Sequence, residues 1–395
     1  MRQRTMLNKL LPATVVAPAA WNRAHRFRYN EIAMPPNIQT PGVYIEEIPS
    51  GAHPIQAVPT GVAAFIGEVT RGPRTKAVAV DSLAAFEKAF GRGSILHTAV
   101  FLFFQNGGER AVVVRTRDDS LKAFFQALNA LDEVEDVNLL CLPDVGAHDP
   151  DKLVKALETC AGRRAFLLVD PDPAWSGVSE VISGLPGLGI SGPNAALYFP
   201  RLQGSGAGIP PGGAVAGVIA RTDREQGVWK APAGLEADLR GVRRLAVPVG
   251  TTLIEQLNPL GVNCLREDLP AGPLVWGART LAGNDSEWKY IPVRRTALFI
   301  EESIERGTKW VVFEPNDEPL WVQLRASVED FLFDLFRQGA FQGAKPEEAF
   351  FVKCDRSTMT DADVIGGRVN LLVGFAPLKP AEFVLITLEF QARVA

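Results

Sequence analysis

The sequence predicts an α/β fold, α+β when the whole chain is counted, and three observations predict it. Short apolar runs alternate with helical stretches from Val62 to Asp170. A long amphipathic helix occupies the last third, from Leu320 to Gln338. The chain closes on a run of period-two alternation from Phe383 to Val394. Strands and helices alternating at this spacing imply a layer of mostly parallel strands, with a second unit built from the helix and the late strands.

Taken in order, Thr40-Pro41-Gly42-Val43-Tyr44-Ile45-Glu46-Glu47-Ile48-Pro49 is a short strand fenced by prolines. Val43, Ile45 and Glu47 point one way, and Tyr44, Glu46 and Ile48 the other. Residues 50–59 carry Pro54 and Pro59 and read as an extended, stiff linker. At about 3.3 Å per residue it reaches on the order of 30 Å, so the strand before it need not pair within its own domain. Val62-Ala63-Ala64-Phe65-Ile66-Gly67 is a buried strand. Asp81 to Phe90 is a helix with Asp81 as cap and Gly91 as stop. Thr98 to Gln105, Leu121 to Leu131 and Pro150 to Cys160 are helices, and Ala111 to Thr116, Asn138 to Leu142 and Ala165 to Asp170 are strands.

From Pro171 to Gly241 the pattern breaks into Gly- and Pro-rich loop with short apolar islands, and it re-forms near Leu253. Leu274-Val275-Trp276 and Ala297 to Ile300 are apolar runs, and Trp310 to Phe313 reads as a strand stopped by Pro315-Asn316. In the long helix Trp321, Leu324, Val328, Phe331, Leu332 and Leu335 share one face. Arg325, Glu329, Asp330, Asp334 and Arg337 lie off it, and Gly339 stops it. Phe350 to Val352 and Leu371 to Val373 are short strands. The final strand places Val384, Ile386, Leu388, Phe390, Ala392 and Val394 in one apolar row, with no turn after it to bring a further strand back. No repeat of 20–50 residues is present.

Composition narrows the function. A chain of 395 residues holds about two or three domains. Hydrophobic residues at 47% and charged residues at 22% exclude a disordered chain, a collagen and a small disulfide scaffold. A formal charge of -4 gives no electrostatic footprint for nucleic acid. Cys141, Cys160, Cys264 and Cys354 are too far apart for a CxxC pair and read as buried, reduced thiols. The four histidines (His25, His53, His97 and His148) form no HExxH or HxxxH spacing. Near the start, Arg2, Arg4 and Lys9 precede an apolar run from Leu10 to Ala20, and Ala17-Pro18-Ala19 is like a small-residue cleavage site. Pro12 interrupts that run, and Arg23, Arg26 and Arg28 follow it, which favours a disordered basic extension or an upstream start with Met34 as the true one. No run of about eighteen apolar residues occurs.

Little of the sequence carries chemistry. Gly187-Leu188-Gly189-Ile190-Ser191-Gly192 matches GxGxxG, whose mechanism needs a strand before it and a helix N-terminus after it. Pro186 and Pro193-Asn194 flank it, so it reads as a loop. Glu301, Glu302 and Glu305 read as a solvated helix edge. Asp355, Asp361 and Asp363 lack the EF-hand spacing. Arg294-Arg295 suits a structural ion pair better than a phosphate. Nothing brings together a nucleophile, a base and an oxyanion donor, and no catalytic, cofactor-binding or metal-ligating residue is assigned.

Several segments in order resemble one family. Thr40-Pro41-Gly42-Val43-Tyr44-Ile45-Glu46-Glu47 is similar to the opening of contractile tail sheath proteins, which form the sheaths of contractile phage tails, R-type pyocins and extracellular contractile injection systems. The resemblance continues through Phe104 to Gly108; Pro210 to Gly213 with Ala216-Gly217; Thr222-Asp223; and Gly227 to Pro232. It runs on through Trp276 to Thr280; Tyr290 to Thr296; Phe313 to Asn316; Ala349 to Asp355; and Pro380 to Phe383. It covers roughly Gln39 to Val394.

The resemblance implies a structural subunit and no enzyme, with no cofactor. Residues 1–38 would be a basic extension, 39–60 an N-terminal strand arm and linker, and 61–250 an outer α/β domain. Residues 251–380 would form an inner α+β domain and 381–395 a C-terminal strand arm. Val43, Tyr44, Ile45 and Ile48, with Val384, Ile386, Leu388 and Phe390, would be the inter-subunit arms, reaching into neighbours by β-augmentation. Arg325, Glu329 and Arg337 would face an inner tube. The implied partners are other copies in stacked hexameric rings, the tube, and baseplate and terminator or cap proteins, with no nucleic acid and no membrane insertion. Assembly would take place in the bacterial cytoplasm, before the subunit becomes part of a phage tail or tail-like particle. The alternative is a nucleotide- or cofactor-binding α/β enzyme. The chain ends discriminate, because an enzyme folds both end strands into its own sheet and a sheath subunit leaves them projecting.

Overall fold

The structure is a computed structural model that describes residues 53–206, 208–268, 272–283 and 285–378, and the backbone strand 384–391. Residues 1–38 and the expected N-terminal arm (Val43, Tyr44, Ile45, Ile48) lie outside the described residues.

The first unit is a three-layer α/β sandwich. Its strands are β1 (Ala63–Gly67), β2 (Ala77–Val80), β3 (Ala111–Arg115), β4 (Leu139–Gly146), β5 (Phe166–Asp170), β6 (Ala195–Phe199), β7 (Val262–Asp268) and β8 (Gly272–Val275). They form one sheet in the order β2-β3-β1-β4-β5-β6-β7-β8. The strands from β3 across to β7 run parallel, and β2 and β8 close the two edges antiparallel. The parallel strands are buried on both faces, which is why they read as unbroken apolar runs in the sequence. Helices α1 (Leu83–Phe90), α2 (Ile95–Gln105) and α6 (Gly212–Gln226) cover one face. Helices α3 (Leu121–Asn129), α4 (Pro150–Gly162), α5 (Val178–Gly184) and α7 (Thr251–Leu257) cover the other.

The second unit follows β8. Helices α8 (Ile291–Gly307) and α9 (Glu318–Arg337), with the short α10 (Pro346–Ala349) and α11 (Asp361–Ile365), pack on a three-stranded antiparallel sheet. Its strands β9 (Phe350–Lys353), β10 (Arg368–Phe375) and β11 (Val384–Gln391) lie in the order β11-β10-β9. Among the described residues no helix is long and apolar enough to cross a membrane.

Several expectations are corrected. The cap of α1 is Ser82, not Asp81, because the Ser82 hydroxyl reaches the Ala85 N–H. Helix α2 starts at Ile95 behind a Ser94 cap. The 171–241 stretch hides α6, whose small residues resemble loop composition. Close packing requires them: a Cβ on Gly213 would lie 2.3 Å from the Ala99 carbonyl, and one on Gly217 would lie 2.4 Å from that of Phe103. Trp310 to Phe313 is not a strand but a 3-10 turn, Lys309–Phe313, in which Val311 N–H bonds back to Thr308. Ala297 to Ile300 lies inside α8. The expected boundary at residue 250 falls short of β7 and β8, which belong to the large sheet, so that sheet runs on to Val275.

Candidate functional site: the small sheet and its helical bed

Strand β10 organises the second unit. Val369, Leu371, Val373 and Phe375 alternate along it and are fully buried, facing α8 and α9. β11 lies beside β10 over all eight of its residues, with Val384 opposite Phe375, Ile386 opposite Val373, Leu388 opposite Leu371 and Phe390 opposite Val369. The apolar row of the last strand is thus in register with the core row of its neighbour. The expectation that the C-terminal strand projects free of its own domain is corrected here: β11 pairs with β10 of its own chain, where its period-two row meets the β10 edge in register. On the other side β9 pairs with only the second half of β10, Leu372 to Phe375. β9 and β11 are the edges of this sheet.

Helix α9 supplies the bed. Asp317 caps it, accepting from the Leu320 N–H. Trp321, Leu324, Val328, Phe331, Leu332 and Leu335 are all buried, as the periodicity predicts. Trp321 Nε1 donates to Asn316 Oδ1 at 2.8 Å, and Asn316 donates in turn to the carbonyls of Val364 and Arg368, pinning the β9–β10 connection. The outward face carries Val322 and Phe333, both exposed. Arg325 and Glu329 face each other at 3.9 Å, one turn apart, and Arg337 is exposed at the end. The sequence reading named the charges of this face and missed its two apolar side chains.

The seam between the units combines apolar contact, from Ile291 and Leu298 of α8, with a set of ion pairs. Arg295 of α8 makes two bonds to Asp223 at the end of α6, at 2.8 and 2.6 Å, and both side chains are buried. The neighbouring Arg294 donates to Asn194 Oδ1 at 2.7 Å and faces Glu301 at 3.7 Å. Glu301, Glu302 and Glu305 are not a solvated edge. All three converge on Arg164, which sits just before β5 with φ of 52°. Arg306 bridges Glu302 at 2.6 Å and Asp136 at 2.8 Å. Burial pushes the Glu301 carboxyl up, against the pull of Arg294 and Arg164.

The sites an α/β enzyme would use are otherwise occupied. In such sheets ligands bind where the strand order reverses, at the carboxyl ends of the strands. Here that place is lined by Glu68, Asp118, Asp119 and Asp144 against Lys152. Lys152 is held by Asp119 at 2.5 Å and Asp149 at 2.9 Å, and Asp144 accepts from the Glu68 N–H at 2.8 Å. Four carboxylates around one engaged lysine repel a phosphate. The Gly187–Gly192 stretch begins inside the 3-10 turn Leu185–Leu188 and leads into β6, with the Gly192 N–H bonded to Leu281 O, so no helix N-terminus opens after it. Asp363 accepts from the Thr360 hydroxyl and N–H in the capping box of α11 and also binds Arg368; these bonds, those from Thr360 foremost, hold its carboxyl down at about 2. Asp355 accepts from the N–H and hydroxyl of Ser357.

Residues 283–391, which span most of this second unit, match the family described as phage tail sheath C-terminal domain. The tail sheath protein of Vibrio phage KVP40 is 29% identical over 186 residues, 47% of this chain. That of Enterobacteria phage T4 is 25% identical over 189 residues, also 47%. The matched part spans about a quarter of each of those relatives, 26% and 27%. Solved structures match far more of the chain. A chain from the PVC sheath complex of an extracellular contractile injection system, in the contracted state, is 30% identical with a TM-score of 0.74, covering 91% of this chain and 99% of that one. A chain from the anti-feeding prophage baseplate is 31% identical with a TM-score of 0.73, covering 89% and 98%. These relatives are structural sheath proteins, not enzymes, and with that identity over nearly their whole length the chain belongs to the contractile tail sheath family.

Proposed function

We propose that this protein is the structural subunit of a contractile sheath, polymerising as stacked hexameric rings around an inner tube and driving that tube outward when it contracts. The observation that carries the reading is the small β11-β10-β9 sheet, both of whose edge strands have no further neighbour among the described residues, in a chain that aligns with nearly all of a sheath chain solved in the contracted state. An open edge gains main-chain hydrogen bonds from an incoming strand. The N-terminal arm, with Val43, Tyr44, Ile45 and Ile48, joins such an edge on one neighbour. The β11 arm, with Val384, Ile386, Leu388 and Phe390, exchanges its ladder to β10 for the same ladder on another. About five ladder bonds at roughly 1 kcal/mol each give on the order of 5 kcal/mol per arm.

The outer unit extends through β8, and the inner unit comprises α8 to β11. The exposed face of α9, with Arg325, Glu329 and Arg337 around Val322 and Phe333, contacts the tube. Baseplate and terminator proteins hold the ends. Assembly occurs in the bacterial cytoplasm before the particle acts. The stroke draws on the free-energy difference between two lattice packings and needs no nucleotide.

Electron microscopy of the purified protein tests this. Hollow ribbed cylinders are expected, and discrete small particles at high concentration sink the reading. Leu388→Pro removes a ladder donor from β11. It should abolish the cylinders while the first unit keeps its thermal transition, and cylinders from this variant would disprove the arm assignment.

A further inference from the structure

The chain enters the large sheet by way of a strap laid over the second unit. Residues 53–58 are extended and largely exposed, and side chains rather than a strand ladder hold their backbone. The His53 N–H donates to Ser327 Oγ of α9 at 2.9 Å. The Val58 N–H donates to Ser303 Oγ of α8 at 3.2 Å. Both serines are buried, and each hydroxyl spends its own proton on the carbonyl one turn back, Gln323 and Phe299, leaving lone pairs for the strap. Ile55 lies over Gly307, where an added Cβ would be 3.0 Å from that of Ile55. The His53 ring lies on Trp310 with centroids 4.1 Å apart.

The bonding changes at Pro59. Asn138 donates to the Pro59 carbonyl at 2.6 Å and accepts from the Val62 N–H at 3.1 Å. Arg295, already locked to Asp223, donates to the Thr60 carbonyl at 2.9 Å. The Val62 carbonyl accepts from the N–H groups of Asn138 and Leu139. Upstream of this point two side-chain acceptors, the His53–Trp310 contact and the packing of Ile55 and Val58 on the second core hold the chain, and downstream it is woven into the sheet.

We propose that residues 53–58 are a peelable strap: loaded from its N-terminal side, it detaches from α9 and then α8 up to a fixed hinge at Pro59-Thr60, paying out on the order of 20 Å of chain while both cores stay folded. The inference rests on the sheath reading, in which the preceding segment is tied to a neighbouring subunit. The strap gives that tie two lengths, short when docked and long when peeled, so that subunits can separate and rotate without losing their connection.

Hydrogen exchange on the full chain tests the strap without any assembly. Backbone amides from Ile55 to Val58 should exchange at least about 100-fold faster than those of β1. The Ser303→Ala/Ser327→Ala variant should quicken His53 and Val58 about tenfold further, with α8, α9 and β1 unchanged. A strap as protected as β1, or a variant that loosens α8 and α9 together with the strap, overturns the proposal. Ile55→Cys/Gly307→Cys places two Cβ atoms close to disulfide distance. Oxidised, this stapled protein should form cylinders that do not contract, and a reductant should restore contraction; normal contraction while oxidised also overturns it. If the wild-type protein makes no cylinders at all, the sheath reading fails, and the exchange result still decides the strap.

Discussion

Asp170 stands at the end of β5, fully buried, with the Gly212 N–H at the start of α6 donating to its carboxylate at 2.6 Å. Burial raises its pKa to about 7, and the Gly212 N–H and Arg201 only partly oppose that. In the unfolded chain the group titrates near the ordinary carboxylate value, about 4. Between these two values the folded state binds a proton that the unfolded state does not, so this residue's contribution falls as pH rises from about 4 to 7 and is flat above. The span corresponds to on the order of 4 kcal/mol. Asp170→Asn keeps an oxygen for the Gly212 N–H and removes the charge. It should raise the melting temperature at pH 8 more than at pH 5 and flatten the profile between them. A profile that matches the wild type at both pH values would show that Asp170 is not the group responsible.

At the scale of the element, what the sequence revealed depended on whether period and composition agreed. The buried face of helix α9 was legible, since six apolar residues at three- and four-residue spacing coincide with it. The parallel strands β1, β3, β4 and β5 were legible because burial on both sides leaves uninterrupted apolar runs, whereas β6 fell in the stretch read as loop with apolar islands and β7 was not assigned. Helix α6 was not legible, because it is buried nearly all round and buys its close approach to α2 with glycine, the residue that otherwise signals a loop. Lys309–Phe313 was misread because β-branched residues favour strands only when a partner edge is available, and here Thr308 turns the chain instead. In the seam Arg294-Arg295 was legible as ion-pairing, but its partners were not, because the residues that meet across it lie 72 to 170 apart in sequence. The two kinds of glycine separate by experiment. Gly213→Val drives a side chain into the Ala99 carbonyl and should cost at least about 3 kcal/mol in urea unfolding. Gly187→Ala, in the GxGxxG-like stretch with nothing within 4 Å of the new Cβ, should leave the midpoint unchanged. Equal effects would mean that α2 and α6 yield far more easily than their packing implies.

At the scale of the molecule the question is whether the two units move as one. Each unit has apolar residues of its own, but one cluster of the first unit also takes in Ile291 and Leu298 of α8, and Val228, just after α6, lies in the core of the second. What crosses between them includes an arginine clasp that meets on Glu302 of α8: Arg164 gathers Glu301, Glu302 and Glu305, and Arg306 bridges Glu302 to Asp136 beside the sheet. The clasp side chains are partly exposed, so single pairs are worth little, but charges sharing partners couple. Arg164 is also held at a left-handed backbone angle that favours glycine, so its side chain offsets a local strain. Removing both arginines, Arg164→Ala/Arg306→Ala, leaves the buried Arg295–Asp223 pair and both cores in place. Calorimetry should then resolve two transitions where the wild type shows one, with the α8–α9 unit melting first. About 0.5 M salt should move the wild type part of the way toward the same behaviour, because screening acts on partly exposed charges. A single sharp transition in the double variant would show that apolar contact and the Arg295–Asp223 pair weld the units without the clasp. The clasp would then have no part in making this subunit rigid enough to transmit a stroke.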